Sequence, residues 1–186
     1  IGKTDEEVIS IFKETKALLT GHFILRSGLR SGHFFQCAQV CQHMDKVTIL
    51  AKLLIDKLEC PPPNTIVAPA MGGLVLGQEV ARQLNCRFLF LEKVDDRLAL
   101  RRNFSISSRD HVLLVEDVVT KGGRVTEALA ILRKTDCKIC AVTSVVERST
   151  DKLDFGVLFQ PLLKLNFPTY DPNELPDHLK SLTPVK

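Results

Sequence analysis

A chain of 186 residues is long enough for one domain with its own core, and 45% apolar residues against 25% charged exclude a disordered or collagen-like protein. Its 25 basic and 22 acidic residues leave a net charge of +3, too even for a coat on duplex DNA or a patch for a membrane surface. No apolar run nears the ~20 residues that cross a bilayer, and the start lacks a basic region followed by an apolar stretch. A cytoplasmic protein with no nucleic-acid or membrane partner is expected.

Thr4-Asp5-Glu6-Glu7 has the form of a capping box, and Val8, Ile11, Phe12, Thr15, Leu18 and Leu19 follow at helical spacing, which predicts a helix to about Thr20. Two extended pieces, 22–26 and 33–40, flank the turn-forming Ser27-Gly28-Leu29-Arg30-Ser31-Gly32. Val47, Leu50, Ala51, Leu54 and Leu58 predict a second helix, which Pro61-Pro62-Pro63 halts.

Beyond it, continuous apolar runs at 65–68, 87–91, 112–115 and 139–146 alternate with helical patterns at 73–84 and 123–134. Strands buried on both faces read this way, and strand-helix-strand order calls for parallel pairing. The expected fold is α/β, an open, mainly parallel twisted sheet flanked by helices, with a core of about 43–149. The tail from 150, with a short helix near 174–182, is expected to join residues 1–42 in a small hood, all within a single domain 1–186.

Cys37, Cys41, Cys60, Cys86, Cys137 and Cys140 come without secretory context and read as reduced thiols. Cys137 and Cys140 form a Cys-x-x-Cys that leaves redox chemistry open as an alternative. Cys37 and Cys41, in a predicted strand, are a poor second pair for zinc.

Ligands of open α/β sheets bind beyond the carboxyl ends of strands. There Val112-Leu113-Leu114-Val115 leads into Glu116-Asp117-Val118-Val119, and Thr120-Lys121-Gly122-Gly123-Arg124 turns into a helix whose first amides point at an anion. Glycine lets a phosphate approach the backbone, and each bond to a charged oxygen contributes about 1.5–3 kcal/mol. Two acids beside a phosphate make sense if the ligand also presents hydroxyls, because an ionised carboxylate accepts from a vicinal diol. The pattern implies a sugar phosphate; an ordinary acid pair beside a helix cap is the alternative. Gly72 to Gly77 is followed by Gln78-Glu79 rather than Lys-Ser/Thr, and no Gly-x-Gly-x-x-Gly occurs. That argues against nucleoside triphosphatases and dinucleotide dehydrogenases.

On these residues the chain resembles the type I phosphoribosyltransferases. Further stretches narrow the resemblance to the orotate phosphoribosyltransferases over nearly the whole chain: Phe23-Ile24-Leu25-Arg26-Ser27-Gly28-Leu29-Arg30-Ser31, Phe34-Phe35, Ala68-Pro69-Ala70-Met71-Gly72-Gly73, Leu100-Arg101-Arg102-Asn103-Phe104 and Val146-Glu147-Arg148. The resemblance implies transfer of ribose 5-phosphate from phosphoribosyl pyrophosphate to orotate in pyrimidine biosynthesis, with Mg²⁺, in a homodimer. It implies that Glu116 and Asp117 hold the ribose hydroxyls, that Thr120, Lys121, Gly122, Gly123 and Arg124 bind the 5′-phosphate with Val118 and Val119 also in the phosphoribosyl pyrophosphate site, and that Ala70, Met71, Gly72 and Gly73 receive pyrophosphate.

Arg26 matches a ligand-contacting basic position, Phe34 and Phe35 the segment that lies on the pyrimidine, and Thr120 a further contact to orotate. Arg148 matches the orotate-binding arginine, whose planar guanidinium suits carboxylate and carbonyl oxygens; a surface salt bridge is the other reading. In the polar stretch 92–109 the resemblance makes Lys93, Arg101 and Arg102 catalytic, alongside Asp117, in a mobile lid that neutralises departing pyrophosphate. A solvated loop or hairpin is the alternative, and the one preferred for Arg97 and Arg109.

Magnesium would be held largely by substrate phosphates, with no protein ligand named. Lys121 and Arg124 stand where the family more often carries small or hydroxyl residues, and the lid lacks a His-Gly feature of longer members. A phosphoribosyltransferase for another nucleobase, or a non-catalytic sensor of phosphoribosyl pyrophosphate, is the functional alternative.

Overall fold

Strand β3 (Thr65–Pro69) is buried along its whole length, as a central strand of a covered parallel sheet must be. In the computed structural model, which describes residues 2–186, it lies in a six-stranded sheet of order β5-β4-β3-β6-β7-β8. Its parallel neighbours are β4 (Arg87–Val94) and β6 (His111–Val119), with Ile66 opposite both Phe88 and Leu113. Strand β7 (Lys138–Glu147) continues the parallel order and pairs in turn with β8 (Leu163–Lys164), while β5 (Arg97–Ala99) runs antiparallel to β4. Helices α3 (Met44–Lys57), α4 (Leu74–Leu84) and α5 (Gly123–Leu132) complete this unit, which comprises Met44–Lys164. Leu114, Val125, Leu129, Leu132 and Val142 pack in one apolar cluster. Each such side chain contributes about 1.5–3 kcal/mol on burial, so the sheet that carries the acids is held rigidly from below.

The second compact unit comprises residues up to His43 together with Leu165–Lys186. It contains α1 (Lys3–Glu14), β1 (Leu18–Ile24), β2 (Arg30–Phe35), α2 (Cys37–Cys41), β9 (Thr169–Tyr170) and α6 (Asp177–Lys180), with an antiparallel sheet of order β1-β2-β9. Buried His22 ties it together: its Nδ1–H donates to the Leu179 carbonyl (3.0 Å), which leaves Nε2 to accept from Arg30 Nη1 (3.1 Å).

Several boundaries differ from expectation. Gly2 caps α1 without a side-chain bond, so Thr4 lies inside the helix and no capping box forms. The helix stops at Glu14; Lys16 is left-handed (φ 62°), and Leu18 and Leu19, which fit helical spacing, instead alternate inward and outward on β1. The predicted extended piece 33–40 is divided, since β2 ends at Phe35 and Cys37–Cys41 is helical, with the two Sγ atoms 4.0 Å apart. Residues 150–164 belong to the larger unit rather than the hood: Val142 donates to the Leu158 carbonyl, Gln160 to that of Val142, and Leu162 to that of Ser144. Those backbone bonds, with Phe155 on the apolar cluster, carry the core past residue 149. Among the described residues no disulfide forms, and no helix is long and apolar enough to cross a membrane.

Candidate active site

Strand β6 runs on through Glu116 and Asp117, so both acids have backbones fixed by pairing with β7 rather than by a loop. Each carboxylate folds back onto the next amide: Asp117 N–H donates to Glu116 Oε1 (3.0 Å) and Val118 N–H to Asp117 Oδ1 (2.7 Å). Glu116 is buried and Asp117 half-buried. Burial first, and then the adjoining Asp117 carboxyl, push the Glu116 carboxyl up to about 8. Like-charge repulsion between the acids is thus relieved by a proton on Glu116. In its protonated form it offers one O–H donor as well as acceptor oxygens.

After β6, Gly122 is left-handed (φ 83°) and its carbonyl accepts from Thr126, so α5 begins in the next residue with no side-chain cap. A β-carbon at Gly122 would lie 2.8 Å from the Phe155 ring, which gives the turn two separate reasons to require glycine. The uncapped first-turn amides remain for a ligand. Glu116, Val118, Val119, Thr120, Lys121, Gly122, Gly123 and Arg124 line one cavity here of about 490 Å³, together with Glu127.

A neighbouring cavity of about 620 Å³ is bounded by Ala70, Met71 and Gly72 on one side and by Glu92, Lys93, Asp117 and Arg124 on the others. The two share Glu116, Val118 and Arg124. Gly72 makes the approach possible: a β-carbon there would stand 2.8 Å from Asp117 Oδ2. Ala70 N–H is anchored on the Leu91 carbonyl (2.6 Å), and the Ala70–Met71 peptide is cis. Gly73, the last residue of the expected pyrophosphate turn, instead caps α4 and does not line this cavity.

Thr120 and Lys121 also line a third cavity, of about 300 Å³, with Arg148, Ser149, Thr150 and Asp151. The Arg148 backbone is fixed by its N–H to the Val119 carbonyl (2.8 Å). Burial lowers the pKa of its guanidinium, and no hydrogen bond or ion pair compensates that desolvation among the described residues. It is a cation prepared for an anionic partner.

The stretch 92–109 opens as a hairpin, the alternative reading, which ends at Ala99; residues 100–109 form turns and irregular chain. Asp95 and Asp96 both have positive φ (49° and 66°) and make the two-residue turn between β4 and β5. Lys93 Nζ stands 3.7 Å from Asp96. Arg102 grips Glu92 through two bonds (3.0 and 3.2 Å) and lies over the Phe90 ring, so its charge is already engaged. Arg101 is exposed and lines none of the three cavities. Of the three expected lid cations, the structure brings only Lys93 to the acids.

Arg26, Phe34 and Phe35 lie in the smaller unit. Arg26 is exposed beyond β1. Phe34 is 40% exposed, whereas Phe35 is 7% exposed and packs on Phe12 with ring centroids 4.9 Å apart. Strand alternation turns one ring outward and the next into the core, so Phe35 is not available to a base. Glu127 is a residue the sequence reading passed over; its spacing three residues after Arg124, the distance of a helical ion pair, was the available signal.

Comparison with known proteins places this geometry. The phosphoribosyl transferase domain matches residues 39–157. An orotate phosphoribosyltransferase of Desulforamulus reducens is 41% identical over 97% of this chain and 95% of its own length, and one of Erythrobacter litoralis is 40% identical over 98% and 96%. The chain belongs to the orotate phosphoribosyltransferase family. A solved orotate phosphoribosyltransferase from Aeropyrum pernix shares the fold at a TM-score of 0.72 with 18% identity, covering 85% of this chain and 93% of that one. An adenine phosphoribosyltransferase from Thermoanaerobacter pseudethanolicus shares it at 0.62 with 17% identity, covering 72% and 88%. The fold is thus shared by proteins named for two different bases, and fold alone does not select a base.

Proposed function

We propose that this protein is an orotate phosphoribosyltransferase, moving ribose 5-phosphate from phosphoribosyl pyrophosphate to orotate to give orotidine 5′-monophosphate and pyrophosphate. The observation that carries this reading is the union on β6 and α5 of two acids with an uncapped glycine turn, faced by the Ala70–Gly72 backbone and Lys93. In it, first-turn amides of α5 bind the 5′-phosphate and Glu116 and Asp117 hold the ribose hydroxyls. Arg148 pairs with the orotate carboxylate from the third cavity.

Transfer forms a bond from the orotate ring nitrogen, which gives up its proton to solvent, to C1 of the ribose as the bond from C1 to diphosphate breaks. Positive charge grows on the ribosyl centre and negative charge on the leaving group. Asp117 faces the first and Lys93 the second, so the pocket is polarised along the reaction axis. Among the described residues no group of three or more His, Cys, Asp or Glu is placed to hold a metal. The hard oxygens of Asp117 suit Mg²⁺ only in company with diphosphate oxygens. When bound, Mg²⁺ would neutralise part of the diphosphate charge.

A cytoplasmic homodimer in pyrimidine biosynthesis completes the proposal, and sedimentation at working concentration checks the dimer. Purified protein with phosphoribosyl pyrophosphate and Mg²⁺ is expected to consume orotate, followed as loss of its ultraviolet absorbance. Turnover of a purine base with none of orotate would overturn the substrate, and phosphoribosyl pyrophosphate bound without pyrophosphate release would favour a sensor.

A further inference from the structure

Among the described residues, Arg124 is the one long cation that lines both the phosphate-turn cavity and the cavity faced by Ala70–Gly72. It sits in the first turn of α5, where a small side chain would leave the cradle to the backbone alone. Its Nη1 donates to Glu127 Oε2 (3.1 Å), one helical turn on, and the pair is about one-third exposed (38% and 32%). Arg124 is also near enough to Glu116 to oppose the upward shift of that carboxyl. The other oxygen of Glu127, Oε1, accepts the backbone N–H of Leu98 in β5 (2.5 Å). Leu98 stands opposite Lys93 across the hairpin, and its side chain is buried in the apolar cluster. One carboxylate therefore divides its two oxygens between the cation of the phosphate turn and the hairpin that bears Lys93.

Resting on the phosphate-binding reading of the turn, we propose that Glu127 is a positioning residue: it holds the Arg124 guanidinium at the 5′-phosphate and, through the Leu98 amide, fixes the hairpin that places Lys93. Arg124 then supplements the amides as a point of charge-assisted binding, which accounts for an arginine in a turn that needs only backbone donors. Glu127 touches no substrate. It acts by stopping Arg124 from swinging into solvent and by satisfying an edge amide of β5 that would otherwise face water.

The probe is ribose 5-phosphate, which carries the phosphate without the diphosphate, titrated calorimetrically into wild type, R124S, E127Q and the double variant. Glutamine keeps an acceptor for Leu98 but loses the charge that holds Arg124, so Kd is expected to rise about fivefold to tenfold in both single variants and no further in the double. Hydrogen exchange at the Leu98 amide reads the second arm: slow in wild type and E127Q, about tenfold or more faster in E127A. An E127Q Kd within about twofold of wild type, losses that multiply in the double variant, or a Leu98 amide that exchanges alike in all three would overturn the role given to Glu127. So would a wild type that does not bind ribose 5-phosphate. Orotate turnover is read separately, so normal ribose 5-phosphate binding without turnover removes the orotate reading and leaves Glu127 in place.

Discussion

Glu116 is where burial and charge conflict most directly, and its titration carries a sign that can be measured. In the folded chain its carboxyl keeps a proton up to about 8, against 4.5 ordinarily. Between those values the folded state binds more protons than the unfolded one, so this residue's stabilising contribution is complete below about 4.5 and is lost as pH climbs through about 8. Glu116→Gln removes the titration while keeping the shape. Thermal unfolding by circular dichroism from pH 5 to 9 is expected to show wild type losing several degrees relative to the variant at the alkaline end; parallel curves would contradict the buried acid. Arg148 presents the opposite case, a half-buried cation with no side-chain partner among the described residues. Arg148→Ala is expected to leave the melting temperature unchanged or raised, because a desolvation cost disappears, while KM for orotate rises about tenfold or more and KM for phosphoribosyl pyrophosphate stays within about threefold. Steady-state kinetics with each substrate varied in turn checks the split, and an equal rise in both constants would move Arg148 from the base to general positioning. Both residues were legible as chemistry in the sequence. Their burial was not, since it depends on which side chains β7 and residues 148–153 bring around them.

At the scale of elements, the β4–β5 hairpin sets which of the expected lid cations borders the acids. Lys93 borders the cavity with Asp117, while Arg102 is held by Glu92 and the Phe90 ring. Lys93→Ala is expected to lower kcat by about tenfold to a hundredfold with little change in KM for orotate, the loss of a charge that matters as diphosphate departs. Arg102→Ala is expected to cost less, and single-turnover measurements on both variants make the comparison. A larger loss in Arg102→Ala would mean that Arg102 leaves Glu92 for the diphosphate during turnover. The central elements were readable because continuous apolar runs at 65–68 and 112–115 have few other uses. The hairpin was legible only as an alternative to a lid, because 92–109 shows no clear alternation and its turn rests on two aspartates at positive φ, a conformation that asparagine and glycine signal more openly. Leu18 and Leu19 failed for another reason: two adjacent apolar residues satisfy helical and strand spacing equally, and the break at Lys16 has no glycine to announce it.

For the whole molecule, the placement of residues on two units makes a prediction that no single variant tests. Every group assigned to phosphoribosyl pyrophosphate other than Arg26 lies in Met44–Lys164, on β4, on β6, α5 and the turn between them, and on the loop after β3. The sequence suggested a hood and a core but ended the core too early, because the tail shows no helical or strand period until its backbone bonds to β7 are seen. The amended boundary matters to the experiment, since residues 150–164 count with the larger unit. A ligand that binds the folded state stabilises it by about 2.7 kcal/mol at a hundred times its dissociation constant, and local opening slows wherever that ligand must leave first. Hydrogen exchange with saturating phosphoribosyl pyrophosphate and Mg²⁺, without orotate, is expected to slow at 70–73 and at 116–126. The amides of β2 (Arg30–Phe35) and α1 (Lys3–Glu14) should exchange as in the free protein. Slowing confined to the smaller unit would place the sugar phosphate away from Glu116 and Asp117, and with it the assignment of the acids to the ribose would fall.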